Sequence, residues 1–510
     1  MDKGTKVILN TIVLYMKIIV TMVISLISVP LVLRALGEND YGMYNLLAGV
    51  ISMLAFLNSS MTISTQRFMS VALGTSDTQK LNQIFSASVL IHLLLGLFLV
   101  LIFEACAFFL FDGFLNIASD RLPAAKIVYQ CLVLSTFISV LSVPYNAVIN
   151  AKEDLVVFSI ISIIDSLLKL ALALLLINRS CDRLIMYGIG MAFISCLNTL
   201  SCRFYVKMNY KEFHFCTSLF NKHTLKDMGA FAGWNTLGAV VVIGRNQGLA
   251  IIMNQFIGLV ANAAYGIANQ VNGVLIDLSS TFQRTLNPQL MQSEGMNNRV
   301  RLHRISFMLT KSSVLVMALF GVPLLIEMPY VLKLWLHEVP ENTIILTQLI
   351  LVLNLIYQFS VGTISSIQAV GNVKVYFICT STLILLNLPI SFLLLRSGFP
   401  VYYTLITAII IEVICFIIRL FLAKYYVELN ISSFIKEVFI PIFICIIVAC
   451  VCAFPFHYML KDSFIRLFIV CFLYAVIYII MAWRFLLDNE VKSVLYNLIA
   501  RFCRSKNKND

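Results

Sequence analysis

The stretch YGMYNLLAGV, residues 41–50, is nearly repeated as YGIANQVNGV, residues 265–274, which begins 224 positions further along the chain. Both copies have the pattern Y-G-x-x-N-x-x-x-G-V. LNT at residues 9–11 and WNT at residues 234–236 form a second matched pair, in the same order and at an offset of 225. Two matches at nearly the same offset predict that the chain contains a duplicated unit.

The composition is that of a membrane protein. Of 510 residues, 60% are apolar and 12% are charged, about half the charged fraction of an ordinary soluble protein. A spanning helix needs roughly 20 mainly apolar residues, and the sequence contains fourteen such stretches between short polar breaks. They lie at residues 8–33, 42–65, 85–111, 124–148, 156–178, 185–206, 229–254, 256–281, 305–330, 344–370, 375–395, 400–423, 434–454 and 464–486. The predicted fold class is an all-α polytopic membrane protein with about 14 transmembrane helices.

The duplication divides these spans into two six-helix bundles and a C-terminal pair of helices. We predict an N-terminal bundle at residues 1–225, a C-terminal bundle at 226–430, and two extra spans with a basic tail at 431–510. Because each copy has an even number of spans, the two copies are expected to be parallel, related by an axis along the membrane normal. The glycines that close the repeated motif, Gly49 and Gly273, are expected to admit a neighbouring helix.

The basic residues indicate how the chain is oriented. An even number of spans puts both termini on one side, and most Lys and Arg between the spans fall on that side, which predicts cytoplasmic termini. The net charge is +12, but the charges are dispersed along loops, so anionic lipid headgroups are the expected partner rather than nucleic acid. The six histidines have no ligand spacing and no C-x-x-C pair occurs; no metal site, cofactor or catalytic group is expected.

Polar residues inside the spans are the best indication of a transport pathway. A charge near the bilayer centre costs on the order of 3 kcal/mol, so it usually faces a bundle interior or a watery cavity. Lys17 shares one helical face of the first span with Asn10, Thr21, Ser25 and Ser28, which predicts a polar cavity wall. The alternative is a face of interhelical hydrogen bonds.

Three more charged residues inside predicted spans are candidates: a pair in the fifth span and an arginine in the seventh. Asp165 and Lys169 are spaced i, i+4 and can pair on one helix face. They are either a titratable, substrate-sensing pair or a self-neutralising pair. In GRNQG, residues 244–248, Arg245 and Asn246 lie between two glycines that leave room around them. The guanidinium could hold a phosphate bidentately, or it could be a structural arginine paired with a carboxylate.

Three side-chain amides complete the predicted set: Asn269, Asn354 and Gln358. An amide both donates and accepts hydrogen bonds, which suits the hydroxyl groups of a sugar. Bonds between helices are an equally good explanation for each of them.

Three stretches resemble the bacterial polysaccharide flippases, the O-antigen and capsule repeat-unit translocases of the multidrug/oligosaccharidyl-lipid/polysaccharide exporter superfamily. They are PLVLRALGENDYGMYNLLAGV (residues 30–50), ANAAYGIANQVNGVLIDLS (261–279) and NPQLMQSEGMNN (287–298). The resemblance extends over the whole chain in span number, loop placement and length. It implies a location in the bacterial inner membrane.

The resemblance also implies a function. The expected substrate is a polyprenyl-diphosphate-linked oligosaccharide, moved from the cytoplasmic to the periplasmic leaflet by alternating access of two bundles. The last two helices are expected to form a groove for the lipid tail. Such flippases tend to have a cationic cavity, for which Lys17, Lys169 and Arg245 are the candidates here. Coupling to an ion gradient is implied as well, with Asp165 as the coupling carboxylate. Glycan polymerase machinery is an expected partner.

Two other functions stay open. A multidrug antiporter of the same superfamily should have an acidic interior for cationic drugs. A membrane-embedded glycan polymerase or ligase should have a long outer loop carrying carboxylates, whereas the predicted outer loops are short. The sequence contains no Walker A motif and so gives no sign of an ATP-driven pump.

Overall fold

The computed structural model describes residues 3–52, 54–114, 117–177, 181–215, 221–336, 338–486 and 492. Within these residues the chain forms 17 α-helices and two π-helical turns. The first eight helices are α1 (Lys3–Leu36), α2 (Glu38–Ser52), α3 (Ala55–Thr75), α4 (Thr78–Phe109), α5 (Leu122–Ala151), α6 (Leu155–Ile177), α7 (Arg183–Asn209) and α8 (Lys222–Ile257). The others are α9 (Leu259–Gly295), α10 (Arg299–Trp335), α11 (Thr343–Gln358), α12 (Val361–Val370), α13 (Lys374–Arg396), α14 (Tyr403–Val427), α15 (Ile431–Phe434), α16 (Ile440–Met459) and α17 (Phe464–Phe485). The π-helical turns are Leu110–Phe114 and Ile435–Phe439.

The predicted all-α, polytopic membrane fold is confirmed. In the described part of the chain, 11 helices are long and apolar enough to span a membrane, or up to 13 if two bent helix pairs each count as one span. The bent pairs are α2–α3 and α11–α12, which correspond to the predicted spans 42–65 and 344–370. Most of the remaining predicted span, 256–281, lies in α9, which begins at Leu259 and has 37 residues. It is long enough to cross a bilayer, and its amide and hydroxyl side chains make it less apolar than the helices counted above.

The chain divides into two compact units. One is Asn10–Thr236, and the other is Met1–Leu9 together with Leu237–Asp510. The same helix pairs pack together in each unit. In the first, α5 packs on α7, α4 on α5, and α6 on α7. In the second, the bent pair α11–α12 packs on α14, α10 packs on α11 and α12, and α13 packs on α14. This shared pattern agrees with duplication, while the predicted domain limits, 1–225, 226–430 and 431–510, stay a prediction.

A glycine with left-handed backbone precedes each copy of the repeated motif. Gly37 has φ +79° between α1 and α2, and Gly258 has φ +101° between α8 and α9, a conformation that costs glycine little. Tyr41 follows four residues after the first of these glycines, and Tyr265 follows seven residues after the second. The second copy therefore has about one additional helical turn before the motif, which explains why Tyr265 lies inside α9 rather than at its beginning.

Close helix contact does not occur at the motif glycines. A Cβ atom added at Gly49 or Gly273 would meet no atom within 4 Å, so the expectation that these residues admit a neighbouring helix is wrong. Among the described glycines, the closest approach of a neighbouring helix backbone is at Gly362 on α12 instead. A Cβ there would lie 2.1 Å from the backbone oxygen of Ser306 and 2.4 Å from Oγ1 of Thr310, both on α10. The backbone amide of Gly362 also donates a hydrogen bond to Thr310 Oγ1, at 3.2 Å.

The last two long helices are anchored on α10 by a buried carboxylate. Glu327 has 0% of its surface exposed. Its Oε2 accepts hydrogen bonds from Nε and Nη2 of Arg466 on α17, at 3.1 and 2.8 Å, and its Oε1 lies 2.8 Å from Nδ1 of His457 on α16. Arg466 also pairs with Asp462. Because a buried charge is costly unless it is paired, this cluster holds α16 and α17 against α10.

Candidate substrate-contact residues

Lys17 lies on α1 and contacts an aromatic ring of α6. Its Nζ is 5.3 Å from the centroid of the Phe158 ring, within the range of a cation–π interaction. Two neighbours on the predicted polar face bond to the protein backbone: Asn10 is buried and donates to the backbone oxygen of Glu153 at 2.9 Å, and the Thr21 hydroxyl donates to that of Lys17 at 2.8 Å. The polar face of α1 therefore serves partly to form bonds within the protein. The Lys17 ammonium is the group on this face that suits a negatively charged ligand.

The predicted pair on α6 is formed. Lys169 Nζ lies 2.7 Å from one carboxylate oxygen of Asp165, and the other oxygen accepts a hydrogen bond from Asn198 Nδ2 on α7 at 3.2 Å. The Asp165 side chain is 18% exposed and that of Lys169 is 43% exposed. The geometry favours a self-neutralised pair that ties α6 to α7. The coupling role of Asp165 stays a prediction.

Arg245 lies on α8 beside an amide. Its Nε and Nη2 donate to Oδ1 of Asn246, at 3.2 and 2.9 Å. Among the residues that the structure describes, Arg245 forms no ion pair with a carboxylate, so the structural-pair alternative gains no support. The Arg245 charge interacts electrostatically with the phenol of Tyr265 on α9. The arginine is partly exposed. Within the described residues, its guanidinium therefore lies beside an amide and a phenol and has no carboxylate partner.

The two glycines that flank this segment differ in their surroundings. A Cβ added at Gly244 would meet no atom within 4 Å, which agrees with the expectation of room beside Arg245. A Cβ added at Gly248 would lie 2.8 Å from Cδ2 of Leu388 on α13. The space at Gly248 is thus filled by helix packing, and room for a ligand is found only on the Gly244 side.

The three predicted amides differ in their environment. Asn269 and Asn354 donate to backbone oxygens of their own helices, those of Tyr265 and Ile350, at 2.9 and 3.1 Å. Their carbonyl groups and second amide protons are left for other partners. Gln358 is 1% exposed, and its Oε1 accepts a hydrogen bond from the hydroxyl of Ser279 at 3.1 Å. This geometry favours the interhelical alternative for Gln358.

A further charged pair, which the sequence reasoning did not single out, lies deep in the second unit. Arg419 and Glu412 on α14 are 2% and 4% exposed and form an ion pair. Nη1 of Arg419 also donates to the hydroxyl of Ser360 at 3.0 Å, and the guanidinium carbon is 5.4 Å from the centroid of the Tyr357 ring. A spacing of seven residues within the predicted span 400–423 puts both charges on one helix face, and that pattern could have revealed the pair.

The first unit also contains a cavity of about 670 Å³ beside the beginning of α2. Gly37, Asn39, Asp40 and Arg121 contribute to its lining. Arg121 is held by Asp40 and by Asp182, the residue that caps α7; its Nη1 lies 2.8 Å from the Asp182 carboxylate. The positive charge of Arg121 is therefore neutralised within the unit.

Comparison with known proteins identifies the fold. Residues 14–175 match the model of the MatE family. An outward-facing multidrug resistance MATE family transporter of the MOP superfamily has a TM-score of 0.72 at 13% identity, covering 84% of this chain and 96% of that one. A MOP superfamily transporter from Pyrococcus furiosus has a TM-score of 0.69 at 14% identity, covering 85% of this chain and 97% of that one. That transporter is described as having a binding pocket of reverse polarity, which suggests a different function.

The MATE transporter VcmN from Vibrio cholerae, in its bent form, is also similar, with a TM-score of 0.67 at 15% identity and with 84% of this chain and 97% of that one covered. No curated protein matches the sequence significantly. The chain therefore has the fold of the MATE transporters, and residues 14–175 match the MatE family.

Proposed function

We propose that this multi-pass membrane protein is a transporter that moves a polyprenyl-diphosphate-linked oligosaccharide across the bilayer by alternating access. The MATE-like fold and the family match support transport. The observation that carries the choice of substrate is Arg245, a guanidinium inside a membrane helix whose hydrogen-bond acceptor is the Asn246 amide. A charge in that position is costly, and an anionic substrate would offset the cost.

Three of the acidic residues inside the helices support the same substrate charge. Asp165, Glu327 and Glu412 each form an ion pair with a basic side chain. Their negative charges are therefore already neutralised by the protein and attract a cationic drug only weakly. Arg245, in contrast, keeps its charge available for a ligand.

The groups around Arg245 fit both parts of the proposed substrate. A guanidinium presents two parallel N–H donors, which match the oxygens of a diphosphate. Asn246 lies next to it and Asn269 is one turn along α9 from Tyr265, the residue on which Arg245 acts. Amide and phenol groups suit the hydroxyls of the first sugar.

Deletion of the gene in its host, followed by localisation of the lipid-linked glycan, tests this proposal. We expect complete repeat units to accumulate on the cytoplasmic leaflet. Arg245→Ala should not restore export, whereas a matched control, Arg284→Ala at an exposed position of α9, should restore it fully. Normal glycan export in the deletion strain would refute the proposal, and normal export with Arg245→Ala would remove Arg245 from the site.

A multidrug antiporter is the second candidate, and the comparisons support it more directly because the similar solved structures include multidrug transporters. Two acidic residues within α4 and α9 also favour it. Glu104 accepts a hydrogen bond from Gln130 at 3.2 Å, and Asp277 is exposed; neither forms an ion pair within the described part of the chain. Efflux of a cationic dye that is lost with Asp277→Asn, and unchanged glycan export, would establish this function instead.

The cellular setting follows from the proposed substrate. We infer a bacterial inner membrane location with cytoplasmic termini, transport driven by an ion gradient, and membrane lipids and glycan polymerase machinery as partners. Tagging both termini and testing their accessibility in intact and opened cells checks the orientation. Accessibility of either tag from the periplasm would contradict it.

A further inference from the structure

The break between α11 and α12 brings together a helix-end carbonyl, the Ser360 hydroxyl and the Glu412 carboxylate. The two helices are bent by 46° relative to each other. In a continuous helix the amide of Gly362 would bond to the backbone oxygen of Gln358. It donates to the Thr310 hydroxyl instead, at 3.2 Å. Among the described residues no other backbone amide donates to the Gln358 oxygen in its place. This oxygen lies at the C-terminal end of α11, where the helix dipole is negative.

Oxygen atoms from several helices surround this end of α11. Ser360 lies in the break, and its hydroxyl accepts a hydrogen bond from Arg419 at 3.0 Å. The Glu412 carboxylate approaches from α14 and pairs with the same guanidinium. The Thr310 hydroxyl on α10 lies beside the break as well, where it accepts the hydrogen bond from the Gly362 amide. A carboxylate, hydroxyls and a freed helix-end carbonyl are the groups that bind small monovalent cations in broken membrane helices.

The hydrogen-bonding capacity of Arg419 is not fully satisfied at this site. Its Nε is buried and, within the described residues, has no hydrogen-bond partner. Leaving a buried donor unsatisfied costs about 1–3 kcal/mol. The guanidinium is therefore retained for its charge, since Glu412 and the helix end would otherwise be buried without a positive partner.

We propose that the α11–α12 break, together with Glu412, forms a binding site for a small monovalent cation of the size of Na⁺, and that Arg419 fills this site as a tethered cation. The wild-type protein then excludes the free ion, and removal of the guanidinium opens the site to it. This inference is independent of the transported substrate, because it concerns only charges inside the second unit.

Thermal unfolding of the purified protein in NaCl and in choline chloride of equal ionic strength tests the proposal, because choline is too large for the site. The wild type should unfold at the same temperature in both salts. Arg419→Ala should unfold earlier in choline chloride and regain about 3 °C or more as NaCl rises to about 0.2 M. Arg419→Ala combined with Glu412→Gln should lose this sodium response. Arg419→Gln carries the same expectation if the alanine variant does not accumulate.

Arg466→Ala is the matched control, because it removes a buried arginine from another carboxylate, Glu327, in a place with no helix break. It should be destabilised equally in both salts. Three results would overturn the proposal: a sodium-specific stabilisation of the wild type, an equal response of the Arg419 variants to sodium and choline, or a rescue of Arg466→Ala by sodium.

Discussion

Gly362→Ala should show how tightly the broken span is fixed to α10. The added Cβ would lie 2.1 Å from the backbone oxygen of Ser306, whereas a carbon–oxygen contact needs about 3.3 Å. Since the obstructing atom belongs to the backbone, α12 must move away by roughly 1 Å. That shift also stretches the hydrogen bond from Gly362 to Thr310, and it displaces Ser360 from Arg419.

The magnitude follows from opposing contributions. Overpacking costs about 1–3 kcal/mol and the lost hydrogen bond about 1 kcal/mol. The helix preference of alanine over glycine offsets about 1 kcal/mol. We therefore expect Gly362→Ala to destabilise the protein by about 1–3 kcal/mol, which lowers the midpoint of thermal unfolding by a few degrees.

The control is Gly266→Ala on α9 of the same unit, where the added Cβ meets no atom within 4 Å. Both variants are compared with the wild type in one detergent and at one heating rate, because unfolding of membrane proteins is commonly irreversible. Gly266→Ala should leave the midpoint unchanged or raise it. If the two variants unfold within about 1 °C of each other, the packing of α12 against α10 is not as described.

Three further predictions concern charged residues. Glu327→Ala leaves the buried Arg466 with only the exposed carboxylate of Asp462 and should cost about 3 kcal/mol; an unchanged thermal midpoint would argue against the anchoring of α16 and α17. In the loop after α7, partial burial raises the pKa of Glu212, but hydrogen bonding and the charge of Lys152 outweigh this and lower the pKa overall. The resulting stabilisation is present above the unfolded-state pKa, about 4.3, and is lost as the pH falls through the lower folded-state value. Glu212→Gln should therefore reduce the loss of stability between about pH 5 and pH 3, by less than about 1 kcal/mol because the pair is partly exposed. Asp165→Asn leaves the Lys169 ammonium inside the span without its carboxylate, so it should cost on the order of 3 kcal/mol, and it should abolish the response of transport to an imposed ion gradient; an unchanged response in proteoliposomes would exclude Asp165 as the coupling carboxylate.

Hydrophobicity predicts the fold well, because lipid-facing helices have to be apolar along their length. Most predicted spans correspond to a long helix or to a bent pair of helices. The bends themselves were not predicted, since hydropathy is insensitive to a break such as the one at Ser360. The repeated motif predicted the duplicated pattern of helix packing but not its physical basis. The close approach depends on Gly362, which lies outside the motif.

The candidate site was harder to predict because the partner of a charge is not visible in a sequence. The pair Asp165–Lys169 was accessible from its i, i+4 spacing. Arg419 was missed, although its spacing from Glu412 places both on one face, because a span that is apolar on average conceals two opposite charges. That Arg245 lacks a carboxylate partner among the described residues could be learned only from the structure, and this difference now distinguishes it from Arg419.

We propose that the charge of Arg245, which pairs with no carboxylate among the described residues, makes the protein selective for an anionic lipid-linked glycan. This claim is tested most directly by reconstituting the protein in proteoliposomes with a fluorescent polyprenyl-diphosphate oligosaccharide and, separately, with a cationic dye. We expect movement of the diphosphate-linked glycan between leaflets, a loss of about tenfold or more with Arg245→Ala, and no loss with Arg284→Ala. Transport of the dye without movement of the glycan would contradict the claim.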